Sequence, residues 1–291
     1  MQLKYYAAAL FSFVVWGMFS LVLKPLSDYA ALDILTYRVA FAAIIIAIVS
    51  LTVRYKVTKA NLSYIRSLTL PARNKIIGTT IFSAIMLAVN WYLYIYVMNT
   101  VSVNATSLAY LICPILTTVL AGIFLKERLN TGQWVAVGMS ILSCIMLSYG
   151  HFMDMLYSVI IALSYAIYLV LQKANTQLDR FFTLTLHILI SAILLIPMGL
   201  SSSSEVMHSD LFFQYVLLIA VLFTIIPLFL NMYALKGLDS SVVGVLLYIN
   251  PIIAFLLAVF YFNENITSLQ GIAYGLIFVA VVVFNISYLK K

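Results

Sequence analysis

The sequence predicts an all-α integral membrane protein: ten transmembrane helices, built as two inverted five-helix repeats over residues 1–150 and 151–291. Three observations predict it. The 291 residues are 65% hydrophobic and 9% charged, with a mean hydropathy of +1.11. A soluble domain carries about 25% charged residues to clothe its surface, and this chain lacks them. Ile76–Leu125 runs for fifty residues without a charge, where one crossing of a hydrocarbon core needs roughly 20. Finally, Pro114–Glu127, "PILTTVLAGIFLKE", is echoed 137 positions later by Pro251–Glu264, "PIIAFLLAVFYFNE".

Uniformly apolar segments of this length satisfy their own backbone as helices, whereas barrel strands are shorter and alternate apolar with polar residues. Charges and turn residues then set the bounds in chain order. Span one, Tyr5–Leu23, lies between Lys4 and Lys24, and with no small-residue cleavage pattern it reads as a retained span, not a signal peptide. Span two, Leu35–Val53, lies between Asp33 and Arg54; span three, Ile76–Val97, follows Lys75; span four, Asn104–Leu125, stops at Lys126. Gly132–Tyr149 is the fifth, and Met155–Leu171 the sixth, between Asp154 and Lys173. Phe181–Leu200 follows Arg180, Leu211–Tyr233 sits between Asp210 and Lys236, Ser241–Tyr261 between Asp239 and Glu264, and Leu269–Leu289 ends at Lys290.

Lys and Arg orient the spans. With the amino terminus in the cytoplasm, Lys4, the linker cations Arg54, Lys56, Lys59, Arg66, Arg73 and Lys75, then Lys126, Arg128, Lys173, Arg180, Lys236, Lys290 and Lys291 all fall inside. Lys24 and Arg38 alone fall outside. Dropping one span between Gly132 and Asp210 would put the later cations on the wrong side, so ten spans with both termini in the cytoplasm is the consistent reading. The net charge of +7 is therefore a topology signal, and nucleic acid is not an expected partner.

At the offset of 137, Tyr96 meets Tyr233, Glu127 meets Glu264, Gln133 meets Gln270 and Gly138 meets Gly275. Oily runs align anywhere; a proline, a carboxylate and a glutamine at fixed spacing do not. Five spans per copy is an odd number, so the second copy enters the membrane from the opposite side, and the halves are related by a pseudo-two-fold axis in the membrane plane. Halves that can exchange conformations are the basis of alternating access, which points to a secondary transporter. A non-transporting structural or sensory membrane protein is the alternative from another class.

Candidate solute contacts are polar or aromatic groups set deep in spans. Asn90 and Tyr94, four apart, share a helix face. An amide cannot face lipid unpaired, so that face either joins helices or lines a cavity. Asn231 aligns with Tyr94 in the second copy. Arg38, one turn into span two, either snorkels outward, pairs with Asp33 or Asp28, or attracts an anionic solute. Trp16, Tyr110, Tyr168 and Tyr248 place rings with polar edges in spans, with Asn250 beside Pro251. Pro114 and Pro251 each free a carbonyl in a helix interior and mark kinks, with Ser107, Tyr110, Tyr248 and Asn250 as hydrogen-bonding neighbours. Gly271 with Gly275, and Gly132 with Gly138, read as sites of close helix approach.

Other chemistry finds no support. Cys113 and Cys144 sit in apolar runs as small hydrophobes. His151, His187 and His208 are scattered, without metal-ligand spacing. No nucleotide-binding, zinc-hydrolase or nucleophile-elbow motif occurs. The expectation is therefore no cofactor and no enzyme, with transport driven by a gradient or by exchange. No span carries an acidic residue at its centre, which disfavours a proton antiporter of that kind; coupling to protons or another ion is left open. Expected partners are a small organic solute and membrane lipids, the protein being a monomer or a weak homodimer through spans five and ten.

The stretches "FVVWG", "DILTYR", "NWYLYIYVMN", "TSLAYLICPIL", "GIFLKERL" and "VVGVLLYINPIIAFLLAVFYFNE" resemble the drug/metabolite transporter superfamily with two EamA domains, and its RarD-like branch. The resemblance implies a basket-like fold in a bacterial inner membrane, a cavity lined by spans one, three, four, six, eight and nine, and export of a metabolite or toxic compound, with uptake as the alternative. It also implies Glu and His in the stretch where this chain has Asp33 and Tyr37; Arg38 is retained. Losing the histidine removes a titratable neighbour and weakens a proton-linked scheme.

Overall fold

The computed structural model describes residues 2–100, 103–148, 152–200, 209–261 and 268–289. Every regular element among them is helical. Span one is α1 (Leu3–Gly17) and α2 (Phe19–Leu23), ending in a 3₁₀ turn at Lys24–Leu26; span two is α3 (Ala31–Leu51). A helix outside the spans, α4 (Tyr55–Ser67), leads to α5 (Leu70–Thr100), α6 (Val103–Phe124) and α7 (Thr131–Ser148) as spans three to five. Then come α8 (Phe152–Ala174) and α9 (Arg180–Leu200); span eight is α10 (Asp210–Ala220), a π turn at Val221–Ile225 and α11 (Ile226–Gly237). Span nine is α12 (Ser240–Leu246) and α13 (Ile249–Phe260), and span ten is α14 (Ser268–Leu289). Among the described residues nine segments are long and apolar enough to cross a bilayer; Ala109–Phe124, the corresponding part of α6, is shorter.

Two stretches depart from the sequence expectation. The basic linker is partly a helix: in α4, Val57, Asn61 and Ile65 turn toward the bundle while Lys56, Lys59 and Arg66 are exposed. Its apolar residues recur at helical spacing but are too few to mark a span, so the charges dominate the reading. Span nine is broken at Leu247–Tyr248. Pro251 has no N–H to give to the Leu247 carbonyl, four residues back; Asn250 N donates to that carbonyl instead, at 3.0 Å. Its counterpart α6 runs on through Pro114 without a break.

The glycine expectation needs correction. A Cβ on Gly138 or Gly275 would meet nothing within 4 Å, so these positions are not close approaches. The tight sites include Gly132 against Ser287 and Gly17, where a Cβ would lie 2.6 Å from Ile253 Cβ and 3.1 Å from Asn250 O. Gly17 thereby lets α1 settle on the broken part of span nine.

Helix pairing has a pattern. α1 packs on α11 and α13, while α8 packs on α5 and α6; α3 packs on α10, while α9 packs on α5. The pairs α3–α9, α7–α14 and α6–α12 complete the main contacts. Exchanging spans one to five with six to ten converts this set into itself. Hydrogen bonds between connections follow the same exchange: the connection after span two bonds the one after span six, and the one after span seven bonds the one after span one. Arg54 pairs with Asp179 at 3.3 Å and Tyr64 bonds Gln177 on one face, and Tyr29 meets Ser209 at 2.9 Å on the other. Tyr6 and Tyr288, near the two ends of the chain, approach Asp239 on the first of these faces, the basic one.

Candidate functional site

Polar and aromatic side chains from several spans converge inside the bundle. Arg38, on α3, lays its guanidinium 5.0 Å from the centre of the Trp91 ring on α5. Tyr110 and Tyr94 also act electrostatically on it, and their rings lie 5.4 Å apart across α5 and α6. Tyr165 on α8 neighbours Tyr110, meets the Trp16 ring edge-on at 6.2 Å and stacks on Tyr168 at 5.7 Å. Asn231 on α11 donates to the Tyr165 hydroxyl at 3.2 Å, and its carbonyl oxygen is buried without a partner among the described residues. Trp16, Arg38, Tyr94, Tyr110, Tyr168 and Asn231 are thus brought together, from spans one, two, three, four, six and eight. Arg38 Nε is buried and unpartnered, and no described carboxylate lies within 4 Å of its guanidinium.

Other expected residues stand differently. Asn90 is 4% exposed and gives its amide hydrogens to Ile161 O (3.0 Å) and Ser164 Oγ (3.2 Å) of α8, the geometry of a helix-joining bond. Trp16 also has a structural bond: its Nε1 donates to Phe223 O at 2.8 Å. Phe223 is four residues before Pro227, which has no N–H to offer, so the indole supplies the missing donor. Tyr248 shares the neighbour Cys113 with Tyr165 but faces another space. With Pro114, Thr118 and Ser140 it lines a cavity of about 10 Å³, the size of one water molecule and too small for an organic solute. Asn250 is half-buried in the first turn of α13. Ser107, Glu264, His151 and His208 lie outside the described side chains.

Sequence reasoning gave no role to Trp91, Phe223 or Glu127. Lys126 adopts a left-handed backbone (φ 56°), and Glu127 N donates six residues back to Ala121 O at 3.3 Å, one residue further than the long bond of a Schellman turn, which a left-handed residue closes in the same way. The turn aims the Glu127 carboxylate at the start of α12. There it accepts from Ser240 N at 2.7 Å, from Ser241 N at 3.0 Å and from the Ser241 hydroxyl. Asp239, the residue at the cap position, makes no side-chain cap of its own. Beside it, Lys173 Nζ donates to Leu235 O and Leu238 O, closing the end of α11. The recurring glutamine also has a local cause. Gln133 Oε1 accepts from Asn130 N and Asn130 Oδ1 accepts from Gln133 N, both at 2.9 Å, a capping box at the start of α7.

Residues 3–149 and, separately, residues 153–286 match the EamA-like transporter family. The chain belongs to that family. Among the relatives of this EamA-like transporter is the "Uncharacterized transporter YojE" of Bacillus subtilis (strain 168), 31% identical over 96% of this chain and 92% of the relative. The "Protein RarD" of Streptomyces exfoliatus is 29% identical over 93% and 84% of the two chains. That of Escherichia coli (strain K12) is 27% identical over 95% and 92%. A solved crystal structure matches with a TM-score of 0.76 over 96% of both chains at 14% identity, which shows the fold alone. The protein is thus a multi-pass membrane transporter of the drug/metabolite type, with a RarD-like affinity. Among its described residues no group of three His, Cys, Asp or Glu is placed to hold a metal ion.

Proposed function

We propose that this protein is a secondary transporter of the bacterial inner membrane, exporting a small organic solute by alternating access between two inverted five-helix halves, with both termini in the cytoplasm. The observation that carries the reading is the helix pairing, which is unchanged when the halves exchange places; a protein that works by swapping the shapes of its halves needs such a set of interfaces. On this reading α6, 22 residues long and so about 33 Å at 1.5 Å per residue, is the tenth crossing. The cluster around Arg38, Tyr94, Tyr110, Tyr165 and Asn231 is the solute site. Glu127, holding α12 from the other half, closes the cytoplasmic side.

The test is counterflow in proteoliposomes loaded with labelled amino acids, nucleosides and small aromatic acids, amines and alcohols. Saturable exchange of one class is expected, and imposed pH or sodium gradients then identify the coupling. Everted against right-side-out vesicles give the direction. A broad panel that moves no faster than in empty vesicles refutes the proposal.

A further inference from the structure

We propose that the solute is an aromatic carboxylate whose anionic group pairs with Arg38; this rests on the transport reading above and names its substrate class. A guanidinium inside an apolar bundle is stable when its charge is compensated and its donors are used. Here the Trp91 face compensates part of the charge at 5.0 Å. Nothing described completes it: Nε is buried without an acceptor, and no described carboxylate lies within 4 Å. Asp33, five residues earlier on α3 and 2% exposed, is also beyond that distance. The side chain as a whole is half-buried, but Nε is shut off from solvent and the guanidinium carbon lies 5.0 Å from the centre of the Trp91 ring, so the head group is turned to the α5 side of the bundle rather than extended to the interface.

The surroundings define the rest of the solute. Tyr94, Tyr110 and Trp91 offer ring faces and edges within reach of the same guanidinium, a setting for a flat hydrophobic body joined to a planar anion. A carboxylate matches the guanidinium fork in a way that an ammonium or hydroxyl does not. An ammonium would add a second positive charge to a site already lacking its counter-charge.

Three labelled probes share one ring and differ in the head group: 4-hydroxyphenylacetate, tyramine and tyrosol. Equilibrium dialysis against purified protein in detergent is expected to show the carboxylate binding at least about tenfold more tightly than the other two. Arg38→Gln removes that preference, bringing the three probes within about twofold of one another, and Arg38→Lys, which keeps the charge without the fork, falls between. Should Arg38→Gln fail to elute as a single species, the three-probe comparison on the unmodified protein decides. Tyramine or tyrosol binding as tightly as the carboxylate overturns the inference, as does an intact preference in Arg38→Gln. Counterflow of the same probes separates the two claims. Selective binding without flux refutes transport and leaves the anion site standing; flux without carboxylate preference refutes the anion site alone.

Discussion

On the alternating-access proposal, Glu127 offers a quantitative test of what holds the basic face shut. Its carboxylate accepts two backbone N–H groups at 2.7 and 3.0 Å and the Ser241 hydroxyl, and α12 has no cap from its own Asp239 side chain. Opening this face exposes carboxylate and N–H groups to water, so the net holding energy is well below the gross bond strength. With two backbone N–H groups left uncapped at about 1–1.5 kcal/mol net each, the Ser241 hydroxyl being free to turn to water, Glu127→Ala loses about 2–3 kcal/mol. At 1.4 kcal/mol per decade the open population rises roughly 30- to 150-fold. Glu127→Gln keeps one acceptor oxygen but turns an NH₂ toward an N–H, which costs about 1 kcal/mol and a change of roughly fivefold.

A native thiol reports that population. Cys113 is 1% exposed beside Tyr110, Tyr165 and Tyr248, so a membrane-impermeant maleimide reaches it only when the bundle opens. Cys144, 5% exposed on α7, serves as internal control in the Cys113→Ser background. The expected order of Cys113 labelling rates is Ala above Gln above unmodified protein, with Cys144 unchanged. Equal rates in all three forms would refute the holding role. Parallel acceleration at both cysteines would mean general loosening, and would refute it too.

Three further outcomes follow from hydrogen bonds in span interiors. Trp16→Phe removes the donor to Phe223 O and is expected to cost about 1–2 kcal/mol in thermal unfolding, but markedly less in a Pro227→Ala background, where residue 227 regains its N–H; an additive cycle would sink this account. Asn90→Ala is expected to lower stability by about 1–2 kcal/mol through the lost α5–α8 bonds while leaving solute affinity unchanged, read by unfolding and equilibrium dialysis; weakened affinity at full stability would make it a solute contact. Pro251→Ala restores a donor for Leu247 O and is expected to slow amide exchange across Tyr248–Asn250 at least about tenfold, an effect that an unchanged exchange rate would exclude.

What was legible in the sequence follows from range. Apolar run length and the distribution of cations are properties of short windows, so the helical membrane fold could be read from residues such as Lys4, Lys24, Asp154 and Lys173 that bracket spans. The α4 helix was hidden because a half-exposed basic helix has too little apolar surface to stand out from a linker. Within the candidate site, depth and residue type picked out Arg38, Tyr94 and Tyr110, but their meeting with Trp91 and Tyr165 depends on how α3, α5, α6 and α8 pack. Asn90 illustrates the limit well. Its amide had to face protein, and only the position of Ile161 O and Ser164 Oγ decides what it meets. Trp16 was partly readable: Pro227 announces a free carbonyl at Phe223, but nothing local says that an indole more than two hundred residues away supplies the donor.

The repeated proline shows why a duplicated sequence need not give duplicated shapes. Pro114 and Pro251 remove the same donor from the same place in each half, yet α6 runs unbroken and span nine breaks at Leu247–Tyr248. The difference therefore cannot come from the proline, which lowers the cost of a break without requiring one. It comes from the partners. Span nine is held at its start by Glu127 from the other half, at Gly244 by Thr117, which a Cβ there would meet at 2.9 Å, and beyond the break by Gly17 against Ile253 and Asn250. Those contacts lie on both sides of Leu247–Tyr248, so moving one set relative to the other changes the angle between α12 and α13, and the proline makes that angle soft. On the alternating-access proposal, a second conformation would require few new contacts: release of Glu127 would free the first segment, and the carbonyl of Leu247 already has its alternative donor in Asn250 N.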